Sequence, residues 1–373
     1  MQFHVSNEVS GGTLHRSLSA TNEVRMNRID LVLIARDEAR CIARCLNSAR
    51  PWVDAMWLLD TGSRDDTAAI ARRCGAQVAH FDWCDDFAAA RNAALGLSGA
   101  EWRLVLDADE WIDGAGQALA ALRQGSDQFL GQISVVSQLD AAGGALDEAP
   151  SWITRVLPRG VAYAGRVHEQ PQSGLPRRRL DLRVWHDGYR HAQAAGKQGR
   201  NRKLLALAMQ AAPGDAYLRY QYGKDLELSA EYVPACQHYL QALSGCEQQS
   251  GWRHDLVLRL LFSLKKCRRF EQALRLAEQE QPAFAGSPDF FFTLGDVLLD
   301  WAVHEPAHGA ALLPLIEQAW RQAIAIGEQP QLQDTVRGRG SYLAAHNLAV
   351  LHESLGQHAQ ARHWREREAL MRG

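Results

Sequence analysis

Trp102-Arg103-Leu104-Val105-Leu106-Asp107-Ala108-Asp109-Glu110 decides how this chain folds. An apolar run passes directly into carboxylates. Such a run suits a strand buried on both faces, as in a parallel sheet. Side chains two apart on a strand point the same way. Asp107 and Asp109 are therefore expected to present oxygens to one point beyond the strand end. Working outward, three further strands precede it, over 29–35, 55–60 and 77–81. Helices are expected between them over 38–49, 65–74 and 87–97, and the fourth strand over 102–106. Strand and helix alternating in short steps predict an α/β sheet with crossover helices. Ligands of such sheets lie at the carboxyl ends of the strands.

The chain then changes character twice. Residues 132–184 read as strand-rich and are punctuated by Gly and Pro, completing the first domain. Beyond His191 the pattern is helical. Gly223, Ala235, Tyr239 and Ala242 set a spacing that Leu261 and Ala273 repeat, that Gly295 begins again, and that Ala349 and Ala361 close. Small residues at such positions let paired helices approach closely. The pattern resembles tetratricopeptide repeats, whose period is about 34 residues. An insertion near 301–314 stretches the third copy. The expected organisation is a loose tail over 1–27, an α/β domain over 28–195 and an all-α helical repeat domain over 196–373.

Composition narrows the functional classes. The 373 residues are 46% hydrophobic and 23% charged, with a net charge of −2. That is a globular balance, and a near-neutral chain is a poor candidate for general nucleic-acid binding. A spanning helix needs ~20 apolar residues, and no run approaches that. The seven cysteines form no CxxC pair, so neither a zinc site nor a redox motif is indicated. Free thiols and the lack of an apolar leader place the protein in the cytoplasm, with peripheral work at the inner membrane left open.

Four stretches carry chemistry. Asp107 and Asp109 offer hard oxygen ligands for Mg²⁺ or Mn²⁺, held together with substrate phosphates. In Leu59-Asp60-Thr61-Gly62-Ser63, Asp60 stands over the sheet edge, where it could accept hydrogen bonds from a base or ribose. Ser63 and Asp65 are also candidates to cap the next helix. In Asp85-Asp86-Phe87-Ala88-Ala89-Ala90-Arg91, either aspartate would cap a helix with Arg91 a turn inside. A guanidinium there could reach a diphosphate bidentately. Tyr163 to Gln170 and Val184 to Tyr189 bring His168, Glu169 and His186, candidates for a base and a further metal ligand. There is no GxGxxG fingerprint and no P-loop.

In this order the stretches resemble family 2 glycosyltransferases of the GT-A fold. The nearest resemblance is to the branch with C-terminal tetratricopeptide repeats that includes the peptide S-glycosyltransferases of glycocin biosynthesis. The resemblance implies roles by position. Ala35, Arg36, Asp37 and Glu38 line the nucleotide, with Arg-Asp-Glu where many relatives have Lys-Asn-Glu. Asp60 holds uridine, with Gly62 and Ser63 beside it, and Arg91 lies near the diphosphate. Asp107, Ala108 and Asp109 form the DxD, with Asp109 the direct metal ligand and His186 completing the metal site. Glu169 is the implied catalytic base and Glu110 its competitor. Family members of this type invert the anomeric configuration.

The implied function is metal-dependent transfer of a sugar from a nucleotide-diphosphate donor, UDP favoured, to a peptide, protein or glycan. The repeats would bind the acceptor or form a homodimer. A transferase of lipopolysaccharide or other cell-surface glycan assembly is the alternative acceptor class. A nucleotidyltransferase would want a glycine-rich loop after the first strand, and residues 35–40 hold no glycine. A non-catalytic repeat scaffold has no need of carboxylates clustered at a strand end. Lys197, Arg200, Arg202 and Lys203 form a basic run, expected as a solvated helix face or a contact for phosphates or an acidic acceptor. Asp109→Ala is expected to leave folding nearly intact, with Asp109 exposed in a cleft.

Overall fold

The computed structural model describes residues 26–114, 116–125, 127–140, 146–186, 191–332 and 335–372. The expected tail lies outside them as far as residue 25, and so do Asp187, Gly188 and Tyr189. The first part runs β1 (Ile29–Ala35), α1 (Ile42–Ala49), β2 (Ala55–Asp60), α2 (Thr67–Arg73), β3 (Gln77–His80), α3 (Phe87–Leu97) and β4 (Trp102–Val105). It continues through β5 (Glu110–Asp113), α4 (Gln117–Leu122), β6 (Leu130–Asp140), β7 (Leu146–Pro158), β8 (Ala162–Ala164), β9 (Gln170–Gln172) and β10 (Arg177–His186).

Eight of these strands form one mixed sheet in the order β3-β2-β1-β4-β7-β6-β10-β5. The strands β3, β2, β1 and β4 are parallel, as the apolar runs predict. β7 then pairs antiparallel with β4, and β5 antiparallel with β10. β1 shows why the parallel half is so rich in apolar residues. Ile29, Leu31 and Leu33 enter a core beneath α1, while Val32 and Ile34 enter a second core against α3. Period-2 alternation therefore puts an apolar residue into both layers. The expected helix over 38–49 begins only at Ile42. Asp37 has φ +56, and residues 39–41 turn before the helix starts. Gly62 has φ +100, which requires glycine at that turn.

The remainder is helical: α5 (His191–Ala211), α6 (Ala216–Leu228), α7 (Tyr232–Ser244), α8 (Arg253–Lys266), α9 (Phe270–Glu280), α10 (Pro288–His304), α11 (Gly309–Ile326), α12 (Tyr342–Ser354) and α13 (His358–Arg372). The expected border at 195 falls within α5. The repeat spacing is seen as close packing. A Cβ on Gly223 would stand 2.5 Å from the ring of Tyr239, so only glycine lets α6 and α7 approach so closely. Gly295 does the same for α10 against Trp320 of α11, the pair stretched by the insertion. One continuous core runs from Tyr220 to Trp364 through these helices.

A smaller apolar cluster joins the two parts. Val167 packs with Leu204, Leu205, Ala208 and Leu218, flanked by Trp83 and Phe87. The basic run on α5 is exposed at Arg200 and Lys203, as a solvated helix face would be, and also makes contacts here. Arg202 pairs with Asp225 and Glu231, Lys203 lies 3.5 Å from Asp85, and Arg200 stacks over Phe87. The Lys197 side chain lies outside the described residues.

Candidate active site

The carboxyl ends of β1, β2 and β4 meet at one edge of the sheet, and the loops that follow are tied together. Asp37 N–H donates to Ser63 Oγ at 3.0 Å, and Arg64 N–H donates back to Asp37 Oδ1 at 2.7 Å. Glu38 N–H donates to Thr67 Oγ1 at 2.7 Å. The left-handed conformation at Asp37 is one that Asp and Asn adopt readily. Asp65 accepts from Thr67 N–H at 2.9 Å just ahead of α2, whose N-cap position is Asp66, whereas Ser63 turns back and donates to Asp60. Asp60 Oδ1 also accepts from Ser63 N–H at 3.1 Å, and Oδ2 faces His80 Nδ1 at 3.6 Å. Ala35, Arg36, Asp37, Glu38, Asp60, Gly62 and Ser63 thus line one connected pair of loops.

The charged centre lies beyond β4. Asp86 caps α3 by accepting from Ala89 N–H at 2.9 Å, which sets Arg91 one turn inside. Arg91 is buried. Its Nη2 donates to Asp107 Oδ1 at 2.6 Å and its Nε to Glu169 Oε1. Arg155 Nη2 donates to Asp107 Oδ2 at 2.6 Å and to Glu110 Oε1 at 2.5 Å. The result is an alternating row, Glu169, Arg91, Asp107, Arg155, Glu110. Burial alone would raise the Asp107 pKa, but Arg155 and Arg91 outweigh it and hold the carboxyl far below its usual range. Burial pushes Glu110 upward, with Arg155 offsetting only part of that shift.

Three expectations need correction. Asp107 and Asp109 do not point to a common site from one strand, because β4 ends at Val105 and both lie in the turn beyond it. Asp107 faces the two arginines, while Asp109 Oδ2 lies 3.5 Å from His186 Nε2. Asp109 is also only 4% exposed, so Asp109→Ala removes a buried charge rather than a solvated one. Glu110 is 2% exposed, and its second oxygen accepts from Asp107 N–H at 2.9 Å. A carboxylate enclosed in this way supports the turn and does not open to an acceptor. Ala108 is buried between the two aspartates. His168 points toward α6, and burial with Lys224 nearby pushes its pKa down to about 4.

Arg155 escaped the reading of the sequence. Its signal was a single charge inside Trp152-Ile153-Thr154-Arg155-Val156-Leu157. Tyr163 is the other addition, buried with Arg91 5.6 Å from its ring centroid.

Among the described residues no group of three or more His, Cys, Asp or Glu is arranged to hold a metal. Asp109 and His186 nevertheless fit a cation that arrives with a diphosphate. Such ions take one or two protein ligands and complete their shell from phosphate oxygens and water. Burial opposes protonation of His186, but its hydrogen bond to Asp109 and that charge raise its pKa. Among the described residues the row sets two guanidiniums, Arg91 and Arg155, against Glu169, Asp107 and Glu110, with Asp109 nearby, so a further cation would answer the charge of an approaching dianionic group.

Residues 30–155 match the model of glycosyl transferase family 2. A TPR repeat-containing protein of Synechococcus elongatus is 32% identical over 249 residues, 63% of this chain and 61% of the relative. The SPbeta prophage-derived glycosyltransferase SunS of Bacillus subtilis is 25% identical over 232 residues, 60% of this chain and 54% of the relative. The chain therefore spans less than two thirds of either relative. Glucosyl-3-phosphoglycerate synthase of Mycobacterium tuberculosis matches in structure over 29% of this chain and 43% of its own, with 22% identity and a TM-score of 0.26.

Proposed function

We propose that this protein is an inverting glycosyltransferase that uses Mg²⁺ or Mn²⁺ and a nucleoside-diphosphate sugar, UDP favoured. The observation that carries this reading is Arg91. It is held between Asp107 at the end of β4 and Glu169, and its buried Nη1 has no partner. A buried donor of this kind is costly unless something accepts from it. A diphosphate oxygen is such an acceptor.

The roles follow from the residues. The loop pair at Asp37, Asp60 and Ser63 receives the nucleoside. Arg91 donates to the diphosphate and stabilises the charge that develops as it leaves. Glu169 is fixed through Oε1 by Arg91. Its other oxygen takes the acceptor proton while the acceptor attacks the anomeric carbon from the face opposite the diphosphate. Asp109 and His186 would hold the metal, which when bound supplies positive charge to the departing group. We assign the transferase domain to 28–195 and the repeats to 196–373. The favoured acceptor is a peptide or protein held by the repeats, because Val167, two residues from Glu169, packs directly on α5 and α6.

The test is a thermal-shift panel of UDP, GDP, CDP and dTDP, each with and without Mn²⁺. A ligand that binds only the folded state raises its stability by mass action. A metal-dependent shift with one nucleotide supports the reading and identifies the donor. No shift with any nucleotide overturns it.

A further inference from the structure

We propose that Arg155 is a positioning residue of this site: through Asp107 it sets where Arg91 points. The proposal rests on the transferase reading for its kinetic consequence, but not for its geometry. Arg155 lies on β7, whose pairing with β6 slips at one place. Gly131 pairs with Val156 and Gln132 with Thr154, so Arg155 is the extra residue of a β-bulge. A bulge re-aims a side chain that regular alternation would send elsewhere. The partner strand accommodates it with glycine: a Cβ on Gly131 would stand 2.7 Å from Val156 Cβ and 2.8 Å from Leu180 Cδ1.

So aimed, the guanidinium reaches two carboxylates with one nitrogen, Asp107 at 2.6 Å and Glu110 at 2.5 Å. Arg91 takes the other oxygen of Asp107 at 2.6 Å. Asp107 is therefore clamped from both sides, and its orientation fixes the Arg91 side chain. Arg91 Nη1 and Arg155 Nε are both buried without partners. Arg155 holds the Asp107 oxygen that Arg91 does not use, so its action on Arg91 runs through this shared carboxylate. A simple counter-ion for Glu110 would need neither the bulge nor the second carboxylate.

Two variants separate positioning from charge balance. Arg155→Lys keeps the buried positive charge but replaces the rigid planar guanidinium, whose Nη2 bridges both carboxylates, with a point-charge ammonium on a flexible stem. Arg155→Gln with Glu110→Gln removes the second charge pair together and leaves no uncompensated charge at Glu110. Each is assayed by nitrogen-15 NMR of arginine side chains, with the Arg91 signals identified by their loss in Arg91→Lys. In the parent, Arg91 is held at Nε and Nη2, so its Nη hydrogens should give resolved signals. In both variants these signals should coalesce as Asp107 swings free. With donor and acceptor supplied, kcat should fall on the order of 100-fold, the scale of a small misplacement of catalytic groups, while the donor KM changes far less. Unchanged Arg91 signals in either folded variant overturn the proposal, as does parental kcat. A parent that turns over no nucleotide sugar defeats the transferase reading, and the Arg91 signals still decide the role of Arg155.

Discussion

His168 should make the junction between sheet and helices sensitive to acid. Its imidazole is half-buried near α6, where desolvation and then Lys224 lower its pKa from 6.5 to about 4, with Asp225 opposing. At pH 8 the ring is neutral whether the chain is folded or unfolded, and it contributes nothing to pH dependence. At pH 5 the unfolded chain binds a proton that the folded state refuses. Folding stability is therefore lost as pH falls from the unfolded value toward the folded one. For those two values the loss between pH 8 and pH 5 is about 2 kcal/mol. His168 has φ +52, so the replacement must tolerate the left-handed region, and asparagine does. Urea unfolding of the parent and of His168→Asn at pH 8 and pH 5 gives the required difference. Every carboxylate common to the two proteins cancels in that comparison. The parent should lose about 2 kcal/mol more than the variant. Equal losses, within about 0.5 kcal/mol, would refute the assignment of a neutral, half-buried His168 to this junction.

Other outcomes test separate parts of the molecule. Glu169→Gln should lower kcat by roughly 10²- to 10⁴-fold, the usual contribution of a general base; a variant with parental turnover removes Glu169 from that role. Asp109→Asn should abolish the Mn²⁺ dependence of the nucleotide thermal shift, and a preserved dependence would send the metal elsewhere. Gly223→Ala should destabilise the repeats by about 1–3 kcal/mol through its clash with Tyr239, less up to about 1 kcal/mol of helix propensity. A thermal scan showing no loss would contradict the packing of α6 on α7. Iodoacetamide should modify exposed Cys84 in the native protein and leave buried Cys41 and Cys45 untouched until unfolding, as peptide mass spectrometry would show.

What could be read from the sequence was what local pattern controls. Apolar runs fixed β1, β2 and β4, because strands buried on both faces cannot carry polar residues without partners. The cap at Asp86 and the glycine at position 62 were legible because backbone groups there need particular side chains or a positive φ. The small residues of the repeats were legible because they mark where helices approach closely. The tie between Asp109 and His186 was anticipated only through the family resemblance, since the two residues lie far apart in the chain.

Charge pairing was decided in three dimensions. Asp107 looks in the sequence like half of a metal-binding pair, yet two arginines from α3 and β7 claim it. Glu110 looks like an available carboxylate, yet β10 pairs beside it and Arg155 encloses it. His168 and Glu169 are adjacent in the chain, but one faces the helices and the other Arg91. Period and propensity act over a few residues, whereas the energy of a buried charge depends on whatever the fold brings within a few ångströms of it. Sequence thus determined the sheet, the helices and the order of the polar stretches; only the tertiary structure determined which charges neutralise one another and which donors are left for a ligand.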